Sequence, residues 1–163
     1  MMHNRPITFA CQHALAVAPT AIMAAIADVT RWRDFKGYGF LPGIARAEYE
    51  VRTSNMIGSR IHVQNTDGSS HCEEIYAWVA GQRVAMKFCD FSPPVQALAT
   101  HFLEEWEFVT LDKATLVTRT FSLFPKSGLT RPVLWFISFF LKRAIDRQLV
   151  EMAQAAINSQ ESN

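Results

Sequence analysis

Four ionisable side chains fall where strand alternation turns them inward: His13, Glu74, Glu104 and Arg119. An isolated charge in an apolar interior is costly, so each needs a partner. Glu104 and Arg119 can pair with each other. Glu74 must find a Tyr, a water or Arg119 itself. Two kinds of chemistry fit this set. Arg119, a planar fork of donors, can hold the carboxylate, phosphate or carbonyl end of an otherwise apolar ligand. Alternatively, Glu104 or Glu74 is a general base of raised pKa, with Arg119 or His13 stabilising an oxyanion. A purely structural ion pair at a cavity rim is the third reading of the same residues.

The elements that must position these groups are read from periodicity. Ile7, Phe9, Cys11, His13, Leu15 and Val17 share one parity of a first strand. Pro19 opens a helix, and Asp28 to Phe35 reads as its end plus a second short helical turn. From 45 to 124 a two-residue period broken by turn residues predicts antiparallel strands at 45–53, 59–66, 69–79, 83–91, 101–110 and 114–124. A long helix, apolar in its first half, is predicted over Leu129 to Ser159, starting near Thr130-Arg131-Pro132.

Turn residues set the expected registers. A two-residue loop at Asp67-Gly68 pairs Val63 with Cys72 and Ile61 with Glu74 on the inner face, and His62 with Glu73 and Gln64 with His71 on the outer. Glu74, Tyr76 and Trp78 then face inward. Val84, Met86 and Phe88 match them if the turn around Gly81 is odd in length. A turn at Asp112-Lys113 sets Phe108 opposite Val117, Trp106 opposite Arg119, Glu104 opposite Phe121 and Phe102 opposite Leu123.

The inward set defines the expected ligand site. It takes Tyr49 from the second strand and Glu74, Tyr76 and Trp78 from the fourth. Met86 and Phe88 come from the fifth strand, and Glu104, Trp106 and Phe108 from the sixth. Arg119 and Phe121 come from the seventh, and Phe136 and Phe140 from the helix. Trp135 and Phe139 fall off that helix stripe. They roof the site against the loops at 35–41 and 91–95, meet a second copy in a homodimer, or touch a membrane surface with Lys142, Arg143 and Arg147 close by.

Other chemistry finds no motif. The histidines, His3, His13, His62, His71 and His101, form neither HxxxH nor HExxH, and His62, His71, Glu73 and Gln64 read as a polar outer face, so no metal site is expected. Gly37-Tyr-Gly39 lacks the strand and helix of a nucleotide fingerprint, no GxSxG is present, and no cofactor is expected. Lys+Arg number 16 against 15 Asp+Glu, a net charge of +1, so no basic excess argues for nucleic acid. With 163 residues, 49% apolar and 19% charged, the chain has the length and composition of one globular domain. Cys11, Cys72 and Cys89 are odd in number and contain no CxxC, which fits a reducing, cytoplasmic setting. Ala16-Val17-Ala18 imitates a cleavage site, but Gln12 and His13 interrupt the apolar run before it, and that segment reads as a strand. The apolar run Pro132 to Leu141 is about half the roughly twenty residues a membrane span needs.

Taken in order, strand, two short helices, six strands and a long helix, the chain resembles the START/Bet v 1-like (SRPBCC) superfamily of polyketide cyclase/dehydrase and lipid-transport proteins. The carrying residues are Ala18-Pro19, Asp28-Val-Thr-Arg-Trp-Arg-Asp-Phe35, Leu41-Pro42-Gly43-Ile44, Glu74 with Trp78, and Thr115-Leu-Val-Thr before Phe121. Arg33 and Phe35 stand where that family often has Pro and Trp, and Arg119 where it often has an aromatic. The resemblance covers about residues 5 to 157 and implies an α+β helix-grip fold, a seven-stranded curved antiparallel sheet around the C-terminal helix. It also implies binding of a hydrophobic or amphipathic small molecule, such as a lipid, quinone or polyketide-like compound, between sheet and helix. A cyclase or dehydratase acting in the same cavity, and a protein-interaction module with a vestigial cavity, are the alternatives.

Overall fold

Alternation along β1 (Ile7–Leu15) buries Ile7, Cys11 and Leu15 and leaves Thr8, Ala10, Gln12 and Ala14 in water. The protein is seen here in a computed structural model that describes residues 5–163; His3 lies outside them. The strands β2 (Ile44–Val51), β3 (Arg60–Asn65), β4 (Ser70–Val79), β5 (Arg83–Cys89), β6 (Ala99–Thr110) and β7 (Thr115–Pro125) complete one antiparallel sheet in the order β1-β7-β6-β5-β4-β3-β2. Between β1 and β2 lie α1 (Pro19–Ala27) and a short 3₁₀ helix, Val29–Asp34. A single turn, α2 (Val95–Leu98), precedes β6, and α3 (Arg131–Glu161) closes the chain. The expected helix-grip architecture is the one adopted.

Local chemistry explains the joints. Pro19, lacking an N–H, sits in the first turn of α1 where none is needed. The Asp28 carboxylate accepts from the Thr30 N–H at 3.2 Å and so separates α1 from the 3₁₀ helix. The Tyr49 hydroxyl donates to the Ala27 carbonyl at 2.8 Å, tying the end of α1 to β2. Tyr49 therefore serves as a strut, away from the place expected of it in a ligand site.

The β6–β7 hairpin has the expected register, with Trp106 opposite Arg119 and Glu104 opposite Phe121. Every second residue of β7 from Thr115 to Pro125 is buried, and Arg119 belongs to that row. The β3–β4 hairpin differs by one residue. Asn65 donates to Ser69 O at 2.8 Å, and Val63 faces His71 while His62 faces Cys72. The loop is Thr66-Asp67-Gly68, three residues long, with Gly68 at φ +87. A two-residue turn would need positive φ at Asp67 as well, whereas the three-residue loop asks it only of glycine. The shift also places Ile75 inside, a gain of about 1.5–3 kcal/mol over leaving it in water. Its consequence is a correction to β4: Glu73 and His71 face inward, and Glu74 and Cys72 face outward.

A second irregularity restores the upper half of β4. Ile75 pairs with Met86 but Ala77 pairs with Ala85, so Tyr76 is the extra residue of a bulge. Trp78 consequently regains the inner face opposite Val84, as expected, while Tyr76 is turned out and its hydroxyl lies 3.4 Å from Glu105 on the outer surface. The turn around Gly81 is odd in length, as the match required, because Val79 pairs with Arg83.

The long helix is also rotated from expectation. Its buried stripe runs through Leu134, Ser138, Ile145, Leu149, Ala153 and Ala156. Small Ser138 and Ala144 let it approach the sheet, and the Cys11 thiol lies 3.5 Å from the Lys142 carbonyl. Phe136 and Phe140 are thereby moved out of the inward set. They pack instead on the loop after the 3₁₀ helix, with Phe140 4.5 Å from Phe40 and Phe136 6.1 Å. Gly39 has φ +59, and a Cβ there would stand 3.1 Å from the Phe140 ring, so both conformation and space call for glycine.

Candidate functional site

Because α3 packs chiefly on β1 and β7, the inner face of β4 to β6 is met by helix mainly where α1 approaches β6. The space left is a cavity of about 720 Å³, bounded by the sheet, α1, α3 and the loops at 35–42 and 91–95. That is the size of pockets that take drug-sized ligands. Met86, Phe88, Phe102 and Phe121 line its sheet side, and Ile137, Leu141 and Met152 its helix side. Phe121 stacks on Phe9 at 5.4 Å and meets the edge of Phe88 at 5.8 Å, which makes a rigid aromatic wall.

One region of that wall is ionic. Glu104 and Arg119 are 2% and 5% exposed. Arg119 Nε donates to Glu104 Oε1 at 2.8 Å, its Nη2 donates to the same oxygen, and its Nη1 donates to Gln148 Oε1 on α3. The guanidinium lies 3.9 Å over the Trp106 ring. Burial pushes the Glu104 carboxyl up to about 7 despite Arg119, and the charge of Glu73 adds to the rise. A carboxyl that titrates near neutrality can both accept and donate a proton. Beside it the Trp106 indole N–H is the only buried side-chain N or O without a hydrogen-bond partner among the described residues. It approaches the Glu104 carboxyl closely enough to help hold it down, in a contact weaker than a well-formed hydrogen bond. A second polar pair faces the cavity from β4: His71 Nε2 lies 3.0 Å from Glu73 Oε1, and the imidazole stacks on Phe88 at 5.2 Å.

The sequence matches no family profile and no curated protein. Solved structures do superpose on it. The Zhui aromatase/cyclase from Streptomyces sp. R1128 gives a TM-score of 0.72 at 14% identity, over 93% of each chain. The di-domain aromatase/cyclase StfQ from the steffimycin biosynthetic pathway gives 0.71 at 14% identity over 98% of this chain, which spans 53% of that protein's length. A START superfamily protein from Mycobacterium smegmatis gives 0.65 at 11% identity, covering 92% of this chain and 99% of that one. The fold is one that these aromatase/cyclases and the START superfamily protein share. Likeness at these identities is likeness of fold, and activity has to be argued from the site.

Within this fold the candidate residues separate cleanly. Met86, Phe88, Glu104, Trp106, Arg119 and Phe121 all line the cavity. Phe108 and Trp78 are core residues beyond its wall. Glu74 and Tyr76 lie on the outer face of β4. Tyr49, Phe136 and Phe140 do not border the cavity. His13 is half-buried on β1 opposite Val117, with Nδ1 3.1 Å from its own neighbour's carbonyl, Ala14 O, and does not reach Glu104 or Arg119. Glu73 and His71 on β4, which strand parity placed outside, and Gln148 on α3 are among the cavity groups that sequence reasoning missed. Gln148 was within reach of a sequence signal, since it stands one helical turn after inward Ala144.

Proposed function

We propose that this chain binds a hydrophobic or amphipathic small molecule, of lipid, quinone or polyketide-like character, with a carbonyl or hydroxyl oxygen seated between Trp106 and Glu104. The observation that carries this reading is the Trp106 N–H, 4% exposed in the wall of a largely apolar cavity, whose contact with Glu104 falls short of a well-formed hydrogen bond. A buried donor without a partner costs stability, and an acceptor oxygen on a ligand removes that cost only when bound. The neighbouring Arg119 keeps further N–H donors beyond those given to Glu104 and Gln148. The aromatase/cyclase and START relatives of the fold are consistent with such a cargo.

Native mass spectrometry of the purified protein tests this directly. One non-covalent small-molecule adduct per chain is expected, released into organic solvent. A stripped sample should take up a hydroxyanthraquinone probe and lose tryptophan fluorescence with saturation at one per chain. Neither adduct nor probe uptake would overturn the reading.

The near-neutral Glu104 favours a second reading, acid–base catalysis on a bound carbonyl compound in the same cavity. Glu104→Gln keeps an oxygen for Arg119 but removes the titrating proton. If the cargo is a substrate, turnover disappears while probe affinity stays within about threefold; equal loss of both leaves binding as the whole activity.

Cargo exchange is assigned to the apolar start of α3. Leu129 is 91% exposed and Trp135 63%, with Phe136 and Phe139 open beside them. Of the two loops expected to roof this helix, the 35–41 loop packs on Phe136 and Phe140, not on Trp135. Phe40 joins the patch to the cavity, since it lines the cavity and stacks on Phe136. From Lys126 to Ile145 the chain contains Lys126, Arg131, Lys142 and Arg143 and no acid, which matches an anionic bilayer surface. Trp135→Asp should reduce co-sedimentation with phosphatidylserine-containing vesicles at least about tenfold and leave probe uptake unchanged. Equal binding of both proteins to the vesicles would remove the membrane from the proposal.

A further inference from the structure

The shifted β3–β4 register has a result on the outer face, away from the cavity. It sets Cys72 opposite His62, and the bulge between Tyr49 and Val51 on β2 adds Glu50. Three different donor atoms meet there. His62 Nδ1 lies 3.8 Å from Glu50 Oε1 and 3.9 Å from Cys72 Sγ, and Cys72 Sγ lies 4.0 Å from Glu50 Oε1. We propose that Glu50, His62 and Cys72 form a tridentate site for a divalent transition metal, zinc in the first instance.

The dimensions fit. With metal–sulfur near 2.3 Å and metal–nitrogen or –oxygen near 2.0–2.1 Å, the edges of a tetrahedron are about 3.4–3.6 Å. Each observed separation exceeds this by less than about half an ångström, and the His62 and Glu50 side chains are partly exposed and free to close that gap. Three adjacent strands hold the backbone, so only side-chain rotation is needed. Mixed nitrogen, oxygen and thiolate donors select zinc or cobalt and disfavour magnesium or calcium.

The surroundings supply an outer layer. Arg60 Nε donates to Glu50 Oε2 at 2.7 Å, which leaves Oε1 turned towards His62 and Cys72. Arg60 in turn is bound by Asp90, so its own charge is matched. A dication held by ionised Glu50 and Cys72 and neutral His62 makes a neutral centre, with one proton released from the thiol. Water completes the fourth position on the exposed side. Cys72 also faces Cys89 across β4 and β5, so the site requires the reduced protein.

Cobalt(II) titration of the reduced full chain reads this site optically. One equivalent should produce a thiolate-to-cobalt charge-transfer band, and zinc should displace it. Cys72→Ser should abolish the band. His62→Ala, at an exposed position that leaves folding intact, should weaken zinc more than about 100-fold against a chelating dye. Arg60→Met, which unlatches Glu50 and removes the cation that favours the Cys72 thiolate, should weaken it about tenfold or more. Cys11→Ser should change nothing. The proposal is overturned if wild type shows no thiolate band, or if the band survives His62→Ala at the same affinity, or if it depends on Cys89 and not on His62.

Discussion

Glu104→Leu is expected to lose about 3–5 kcal/mol of unfolding free energy at acidic pH, because Arg119 would be left buried without its acceptor and cannot shed its proton, and the deficit should shrink as pH climbs from about 4.5 to about 7, where wild type alone loses stability by ionising Glu104. Removing the other partner has a different pH signature. In Arg119→Met the Glu104 carboxyl can neutralise itself by keeping its proton. Its pKa is already about 7 beside Arg119, against an ordinary 4.5, and without the cation it rises further. A carboxyl whose folded pKa is raised contributes most below its unfolded pKa, and that contribution fades as pH climbs towards the folded value. Below about pH 7 the folded wild type and the folded variant both hold the proton, so the ionic part of the deficit is absent. Above it the wild type levels off while the variant goes on losing about 1.4 kcal/mol per pH unit until its own carboxyl ionises. Urea denaturation between pH 6 and 9 distinguishes the two variants. The double replacement, with both charges gone, should return to within about 1 kcal/mol of wild type. A flat deficit in Arg119→Met across that range would mean that Glu104 is ionised throughout.

That pair was legible from sequence because its hairpin is overdetermined. Asp112-Lys113 admits one short turn, and Phe102, Trp106 and Phe108 agree with Val117, Phe121 and Leu123 on one face, so a slip would expose all of them. Asp67-Gly68 carries less information. The dipeptide closes a two-residue loop or ends a three-residue one, and the strands beside it are too mixed to decide. Either Cys72 or Glu73 can be imagined inside, and only the packing of Ile75 against Met86 chooses. The bulge at Tyr76 is likewise a tertiary event, which lets Ile75 and Trp78 face the same interior although three positions separate them. The helix had no face of its own to announce. Apolar on every side from Val133 to Leu141, it takes its rotation from what β1 will admit, and small Ser138 and Ala144 are what fits. Part of the polar cavity was therefore readable and part was not. Glu104 and Arg119 follow from a fixed register, whereas Glu73, His71 and Gln148 follow from neighbours that the sequence does not name.

Trp106→Phe separates a cavity built for cargo from one that is merely a packing defect. The indole N–H is buried with only a weak contact to Glu104, a state that costs up to about 1–3 kcal/mol. Phenylalanine deletes the donor, keeps an aromatic face under Arg119, and gives up only part of the buried ring. The lost area and a weaker cation–π contact together cost about 1–2 kcal/mol. The two effects nearly cancel, so the empty variant should unfold within about 1 kcal/mol of wild type, an unusually small change for a tryptophan 4% exposed. The hydroxyanthraquinone probe should meanwhile bind about tenfold more weakly, since the donor that its oxygen would satisfy has gone. If Trp106→Phe instead unfolds several kcal/mol earlier and holds the probe as tightly as wild type, the N–H has no acceptor to wait for and the ligand's polar end lies elsewhere in the cavity.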